Sequence, residues 1–279
     1  MFAAPLSVLP WTNSLVAVFA VLFLMRCATL LALFYTCWKS FPLFQRLRFS
    51  GAVIPDLMKF GGWMTVSNIV SPLMVQMDRF LIGTMLSLAA VAHYATPFEM
   101  VTKVLLIPTA ITGVAFPAFS RLLAQRNTQD ARHMYWRTLG LVCAATLPIT
   151  LVLGLFAESI LHFWLKRALP AESAIVMQIL LLGVFANSIA HVPFAYLQGA
   201  KRADLTAKIH LAEAPVYAAV LAVAVTAWGI VGAAAAWTLR VLADAVVMHG
   251  AHAMVNKRIL PAVAMEQPVA TEVMAARAP

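Results

Sequence analysis

Residues 57–88 read LMKFGGWMTVSNIVSPLMVQMDRFLIGTMLSL, and residues 94–122 read YATPFEMVTKVLLIPTAITGVAFPAFSRL. Each stretch is long enough to cross a bilayer as a helix, since about 20 predominantly apolar residues suffice. Only a few residues join the two stretches. We therefore predict a helical hairpin of two membrane spans over residues 57–122.

Both arms of the predicted hairpin carry charged residues. Asp78 and Arg79 lie in the first arm, and Glu99 and Lys103 lie in the second. A charge at the bilayer centre costs roughly 2.5–3.5 kcal/mol on insertion scales, so such residues usually face protein or a water-filled cavity. These four residues are therefore candidates for function.

The hairpin resembles the seventh and eighth membrane helices of bacterial polysaccharide flippases. These are Wzx-type transporters within the multidrug/oligosaccharidyl-lipid/polysaccharide exporter superfamily. The resemblance rests on FGGWMTVSNIVSP, DRFLIG, YATPFEMVTKVLLIP and AFPAFSRL in this order, and it becomes diffuse after residue 122, up to about residue 258. It implies an all-α membrane protein matching the C-terminal part of a twelve-helix exporter fold. It also implies a transporter without a cofactor, not an enzyme. The implied substrate is an undecaprenyl-diphosphate-linked oligosaccharide used for O-antigen (lipopolysaccharide) or exopolysaccharide synthesis.

Composition indicates the same class of protein. Hydrophobic residues make up 62% of the chain and charged residues 11%, against about 25% charged residues in soluble domains. The net charge of +9 would favour nucleic acid in a soluble protein, but basic cytoplasmic loops explain it here. We predict contact with membrane lipids and none with nucleic acid. Cys27, Cys37 and Cys143 lie in apolar segments without metal-type spacing, so no metal site is predicted.

Apolar segments of spanning length predict about seven transmembrane helices. Their predicted bounds are 14–38, 57–86, 90–122, 133–157, 174–198, 204–227 and 230–256. Phe163 and Trp164 suit an interfacial segment between the fourth and fifth spans, because aromatic rings prefer the headgroup level. We predict three regions: residues 1–56 with one span and a basic loop, a six-helix bundle over 57–258, and a disordered cytoplasmic tail over 259–279.

The basic residues predict the orientation. Fourteen of the 20 Lys and Arg residues fall in alternate loops, which the positive-inside rule places in the cytoplasm. We therefore expect a multi-pass protein of the bacterial inner membrane, with its N-terminus outside and its C-terminus inside. On the family pattern the seven spans match helices six to twelve. We thus expect either a flippase lacking its N-terminal helices or a half-size protein that assembles with a second chain.

Four cations lie within the predicted spans and outside the basic loops at their ends, and the implied diphosphate needs cationic partners. Arginine and lysine supply charge-assisted hydrogen bonds to phosphate. The predicted substrate-binding, cationic cavity therefore comprises Arg26, Arg79, Lys103 and Arg240. Simple pairing at i,i+4 is the other interpretation for Lys103 with Glu99 and for Arg240 with Asp244.

Acidic and polar residues within the spans suggest a route for ion coupling. The candidates are Asp78, Glu99, Glu213, Asp244, Asn187 and His191. Glu213 is the best single candidate, because it lies about ten residues into an apolar span. Structural hydrogen bonds between helices explain these residues as well.

Two other functions stay open at this point. The sequence has no Walker A, GxGxxG, HExxH or GxSxG motif, so it indicates neither ATP-driven transport nor soluble-enzyme chemistry. A drug or small-molecule antiporter of the same superfamily would need an acid-lined cavity. A membrane glycan polymerase or ligase would need a large external loop, and the longest external loop here, residues 157–173, is short.

Overall fold

The computed structural model describes residues 15–40, 54–165 and 170–275, and over these residues the chain is helical. The all-α fold predicted from the sequence is confirmed. The chain divides into two units, Met1–Pro55 and Asp56–Pro279, which are described separately. The helices are α1 (Leu15–Ser40), α2 (Ile54–Met85), α3 (Leu88–Thr102), α4 (Leu106–Ala124), α5 (Thr128–Leu155), α6 (Ala157–Leu165), α7 (Ala171–Gly199) and α8 (Ala203–Ala275).

Seven segments of the described chain are long enough to span a membrane. Five helical stretches are both long enough and apolar enough to cross a membrane: Val18–Ser40, Leu88–Ala124, Thr128–Leu155, Glu172–Gly199 and Ala203–Lys257. The last of these has 55 residues, about 80 Å of helix at 1.5 Å per residue, so it crosses twice. Helix α2 adds the remaining span, with 32 residues and a lower apolar content. The prediction of about seven spans is confirmed.

The two crossings within α8 are separated by a break at Trp228 and Gly229. Gly229 has φ 57° and ψ −136°, a conformation that side chains with a Cβ rarely adopt. Gly232 lies close to the backbone of the preceding arm. A Cβ at this position would lie 2.0 Å from the Ala224 carbonyl oxygen, so a larger residue would clash there. The break at the predicted Trp228–Gly229 turn gives α8 two arms, residues 203–227 and residues 230–275.

Helix α7 lies at the centre of the second unit, where it packs against α3, α4, α5 and α8. Of the apolar spans it is the most buried, with 56% of its span inside the protein. It approaches α8 closely at Gly183, where a Cβ would lie 2.5 Å from the Trp237 ring. Thr238 on α8 donates a hydrogen bond to the Ile179 carbonyl of α7 at 2.9 Å. Because glycine has no side chain, the backbone of α7 at Gly183 can pack directly against the Trp237 side chain of α8.

The third span is interrupted by a 3₁₀ turn at Lys103–Leu105. Pro108 follows this turn, and a proline lacks the N–H that would donate to the carbonyl four residues earlier. The 3₁₀ turn therefore includes Val104, the residue whose carbonyl receives no hydrogen bond from Pro108. Helix α2, by contrast, continues through Pro72.

Two segments differ in extent from the prediction. The short helix α6, Ala157–Leu165, forms in the predicted interfacial segment, with Phe163 and Trp164 exposed on it. Helix α8 continues to Ala275, where the sequence predicted a tail without regular structure. Eight of residues 259–275 are alanine, methionine or glutamate, which are good helix formers, although the segment also contains Pro261 and Pro268.

Candidate functional site

Arg79, Glu99 and Lys103 form a charge triad between α2 and the third span. The Arg79 guanidinium donates through Nη2 to Glu99 Oε1. Lys103 Nζ lies 3.3 Å from Glu99 Oε2, one helical turn away. Arg79 also lies over the Phe98 ring, 5.6 Å from its centroid, and its Nε is buried without a hydrogen-bond partner among the described residues. Two cations share one carboxylate, so the charge triad carries one excess positive charge.

Two members of the charge triad, Glu99 and Lys103, line a hollow of about 610 Å³. Its lining combines residues of the third span with one aromatic residue of α6: Ala95, Thr96, Glu99, Met100, Lys103 and Trp164. We call it the triad hollow. Small-molecule sites are typically about 300–1,000 Å³, so its volume suits a ligand of modest size.

Asp78 is the neighbour of Arg79 in sequence but has a different environment. It is fully buried. The Tyr94 hydroxyl donates to Asp78 Oδ2 at 2.6 Å, and the Tyr217 hydroxyl donates to Asp78 Oδ1. These bonds join α2 to α3 and to the first arm of α8. A carboxylate held by two hydroxyl donors is thus placed in the middle of the helix bundle.

Arg240 extends this buried network to the second arm of α8. Its guanidinium lies over the Tyr217 ring, 5.3 Å from the centroid. Its Nη1 is 3.8 Å from Glu213 Oε2. The neighbouring Asp244 has its Oδ1 3.8 Å from His210 Nε2 across the same hairpin.

We call Asp78, His210, Glu213, Arg240 and Asp244 the buried charge cluster. It contains three carboxyl groups and one guanidinium. Both Glu213 oxygens, Asp244 Oδ1 and Arg240 Nε are buried without a hydrogen-bond partner among the described residues. Buried charges of this kind need a balancing charge or hydrogen bond. The cluster can therefore accept a proton or a small cation more readily than an anion.

A second cavity, of about 410 Å³, lies between the two arms of α8. Its walls are apolar apart from Glu213, Tyr217 and Arg240. Four of the predicted site residues line these two cavities. Glu99 and Lys103 line the triad hollow, while Glu213 and Arg240 line the cavity between the α8 arms.

The remaining predicted site residues lie elsewhere. Arg26 belongs to the first unit, where its side chain is exposed on α1. Asn187 and His191 are half-buried on successive turns of α7. No group of three or more His, Cys, Asp or Glu side chains suited to a metal is found within the described part of the chain. The substrate-binding and coupling roles of all these residues stay predictions.

Several participants were not identified from the sequence as site residues. Tyr94 and Tyr217 donate to Asp78, His210 faces Asp244, and Trp164 lines the triad hollow. Tyrosine and histidine within apolar spans are a usable signal, since a buried polar tip needs a partner. Trp164 gave no such signal, because an aromatic residue beside Lys166 is equally typical of a membrane interface.

Comparison with known proteins assigns the family. The sequence pattern described as "Polysaccharide biosynthesis protein" matches residues 18–168, more than half of the chain. A Shigella flexneri protein whose name describes an O-antigen transporter is 34% identical over 212 residues, covering 76% of this chain and 47% of that protein. The lipopolysaccharide biosynthesis protein WzxC of Escherichia coli K12 is 25% identical over 167 residues, covering 59% of this chain and 33% of that protein. The chain thus spans less than half the length of these two relatives.

Solved structures agree on the fold. A MATE crystal structure in the bent conformation superposes with a TM-score of 0.77 at 13% identity, covering 89% of this chain and 56% of that one. The Vibrio cholerae MATE transporter VcmN superposes with a TM-score of 0.66 at 17% identity, covering 87% of this chain and 55% of that one. Identities this low show the fold alone. With more than half of its residues matched and with this exporter-type helix bundle, the chain belongs to the family of polysaccharide biosynthesis proteins.

Proposed function

We propose that the chain acts in a flippase that moves lipid-linked oligosaccharide units across the bacterial inner membrane for O-antigen or exopolysaccharide synthesis. The observation that carries the proposal is the charge triad, whose excess positive charge borders a hollow within the residues that match the family. The names of the two relatives support the same process. The low identity to multidrug exporters gives no support to the drug-antiporter alternative.

The proposed substrate is an undecaprenyl-diphosphate-linked oligosaccharide, and the triad hollow is its proposed headgroup site. Arg79 and Lys103 would face the diphosphate, because guanidinium and ammonium groups form charge-assisted hydrogen bonds to phosphate oxygens. Arg240 is less suited to this role, since it already faces Glu213 beside two other carboxyl groups. Arg26, in the first unit, remains a proposed substrate-binding residue.

The buried charge cluster is the proposed ion-coupling element. A proton or monovalent cation held between Glu213 and Asp244 would balance the excess of acid there. Binding and release of that charge would change the interaction between the two arms of α8. Glu99, Asn187 and His191 are further proposed members of the polar network. The proposal follows the general rule that ionisable groups within spans mark ion or proton routes.

The proposed setting is the inner membrane, with the N-terminus outside and the C-terminus in the cytoplasm, as the loop charges predict. Membrane lipids surround the bundle. A second chain that supplies further helices is a proposed partner.

The test is display of surface glycan in a strain of the source bacterium that lacks its chromosomal copy of the gene. Lys103→Gln and Arg26→Gln should each reduce surface glycan without lowering the amount of protein in the membrane. Loss of one charged hydrogen bond to phosphate corresponds to about tenfold or more in affinity. Lys208→Gln removes an exposed lysine of the same type that lies outside the triad hollow, and it serves as the matched control. Normal glycan display in both test variants would remove the cationic-site proposal.

A further inference from the structure

Trp164 is the one aromatic residue that lines the triad hollow. Its side chain is 68% exposed. Within the described ranges it makes neither a ring contact nor a hydrogen bond with another side chain. A large, mostly exposed aromatic ring therefore lines the hollow together with the polar residues of the third span.

The lining residues of the third span supply hydrogen-bonding groups. Thr96 donates its hydroxyl proton to the Ala92 carbonyl at 2.9 Å, so its oxygen stays free as an acceptor. Glu99 accepts from Arg79 and Lys103, and a carboxylate has about four lone-pair sites in all. Lys103 has three N–H donors, and its side chain is 70% exposed. The hollow thus combines hydrogen-bond donors and acceptors from the third span with an apolar ring from α6.

This combination matches the surface of a sugar ring. A pyranose has a rim of hydroxyl groups, which are donors and acceptors, and a face of C–H groups, which are apolar. Aromatic rings provide a large rigid apolar contact with low loss of side-chain entropy. A phosphate group alone would use the two cations and leave the indole face without a partner.

An aromatic residue that only anchors a helix at the membrane interface does not have to line a hollow. Trp228 offers the comparison within the same chain. It lies at the break in α8, and its side chain is 69% exposed, yet it does not line the triad hollow. The two tryptophan side chains are about equally exposed. They differ in that Trp164 lines a hollow together with polar residues, whereas Trp228 does not.

We propose that Trp164, Thr96 and the charge triad form a sugar subsite, in which the indole stacks on the sugar that is linked directly to the diphosphate. The proposal rests on the proposed function and deepens it. The cations of the triad face the diphosphate, and the sugar one bond further lies between Trp164 and Thr96. The subsite makes the chain sensitive to the identity of the first sugar and not only to the charge of the carrier.

The test uses the purified full-length chain in lipid nanodiscs and two probes. One probe is undecaprenyl diphosphate, and the other is the undecaprenyl-diphosphate-linked oligosaccharide extracted from cells of the source bacterium that lack the gene. Trp164→Ala should weaken binding of the oligosaccharide-linked probe roughly three- to tenfold, the range expected for one aromatic contact. It should change binding of undecaprenyl diphosphate by less than about twofold. Trp164→Phe keeps a ring and should retain most of the affinity.

Trp228→Ala is the matched control and should leave the affinity for both probes unchanged. Equal weakening for both probes, no weakening for either, or the same effect from Trp228→Ala would overturn the sugar subsite while leaving the flippase proposal intact. Failure of the unsubstituted chain to bind either probe would overturn both proposals.

Discussion

At the residue scale, Arg240 is the cation on which the buried charge cluster depends. It faces Glu213 at 3.8 Å and lies over Tyr217, and its side chain is only 10% exposed. Removing one partner of a buried ion pair leaves an uncompensated charge, whereas removing both is much less costly. The cluster can therefore be tested through the stability of variants.

We predict that Arg240→Gln destabilises the chain by about 3–5 kcal/mol, the usual cost of an orphaned buried charge. The double variant Arg240→Gln with Glu213→Gln should recover a large part of that loss. Thermal unfolding in detergent, followed by circular dichroism, measures both. A double variant no more stable than the single one would show that the pair does not interact.

The sequence predicted charge pairs at this scale with mixed success. The Glu99–Lys103 pair at i,i+4 forms at 3.3 Å. The same spacing suggested Arg240 with Asp244, but the ion pairs observed run across the α8 hairpin, Arg240 to Glu213 and Asp244 to His210. Spacing along one helix shows which side chains are neighbours, whereas the partner on a second helix depends on how that helix is rotated.

At the element scale, the close contact between α7 and α8 depends on a glycine, Gly183, which has no side chain. A Cβ on Gly183 would lie 2.5 Å from the Trp237 ring and 2.8 Å from Thr238 Oγ1. Trp237 is fully buried and packs edge-on against Phe98, with ring centroids 5.4 Å apart. The ring cannot move aside without disturbing the core.

Gly183→Ala should therefore destabilise the chain by about 1–3 kcal/mol, the usual cost of overpacking. Gly140→Ala is the matched control, because nothing lies within 4 Å of a Cβ at that mid-helix position. It should be neutral or stabilising by about 0.5–1 kcal/mol, since alanine favours helix over glycine. Thermal unfolding distinguishes the two. Equal stability of both variants would contradict the close approach of α7 and α8.

Helix ends and breaks were largely readable from the sequence. The turn at Trp228–Gly229 and the boundaries of α7 follow from glycine and from changes in hydropathy, which are local properties. The 3₁₀ turn at Lys103–Leu105 was not predicted in place, although Pro108 gives its cause. Three prolines occur in that span, and the sequence does not show where the backbone adjusts to each of them.

At the scale of the whole molecule, the predicted orientation can be tested by cysteine labelling. In a variant with Cys27, Cys37 and Cys143 replaced by serine, single cysteines would be placed at two exposed positions at the ends of helices. Leu88→Cys lies at the start of α3, and Gln125→Cys follows α4. A membrane-impermeant maleimide should label the first in intact spheroplasts and the second only after permeabilisation, because the basic loops lie inside. The reverse pattern would place the N-terminus in the cytoplasm.

The sequence by itself determined that this is a multi-pass helical protein, where its seven spans lie, and which family its central hairpin resembles. Hydropathy, proline, glycine and loop charge are properties of short stretches, so they can be read without knowing how the stretches meet. Only the tertiary structure decided that Arg79 joins the Glu99–Lys103 pair, that Arg240 faces Glu213, and that Trp164 lines the triad hollow. These pairings depend on the rotation and contact of helices far apart in the chain, which packing fixes and sequence spacing does not.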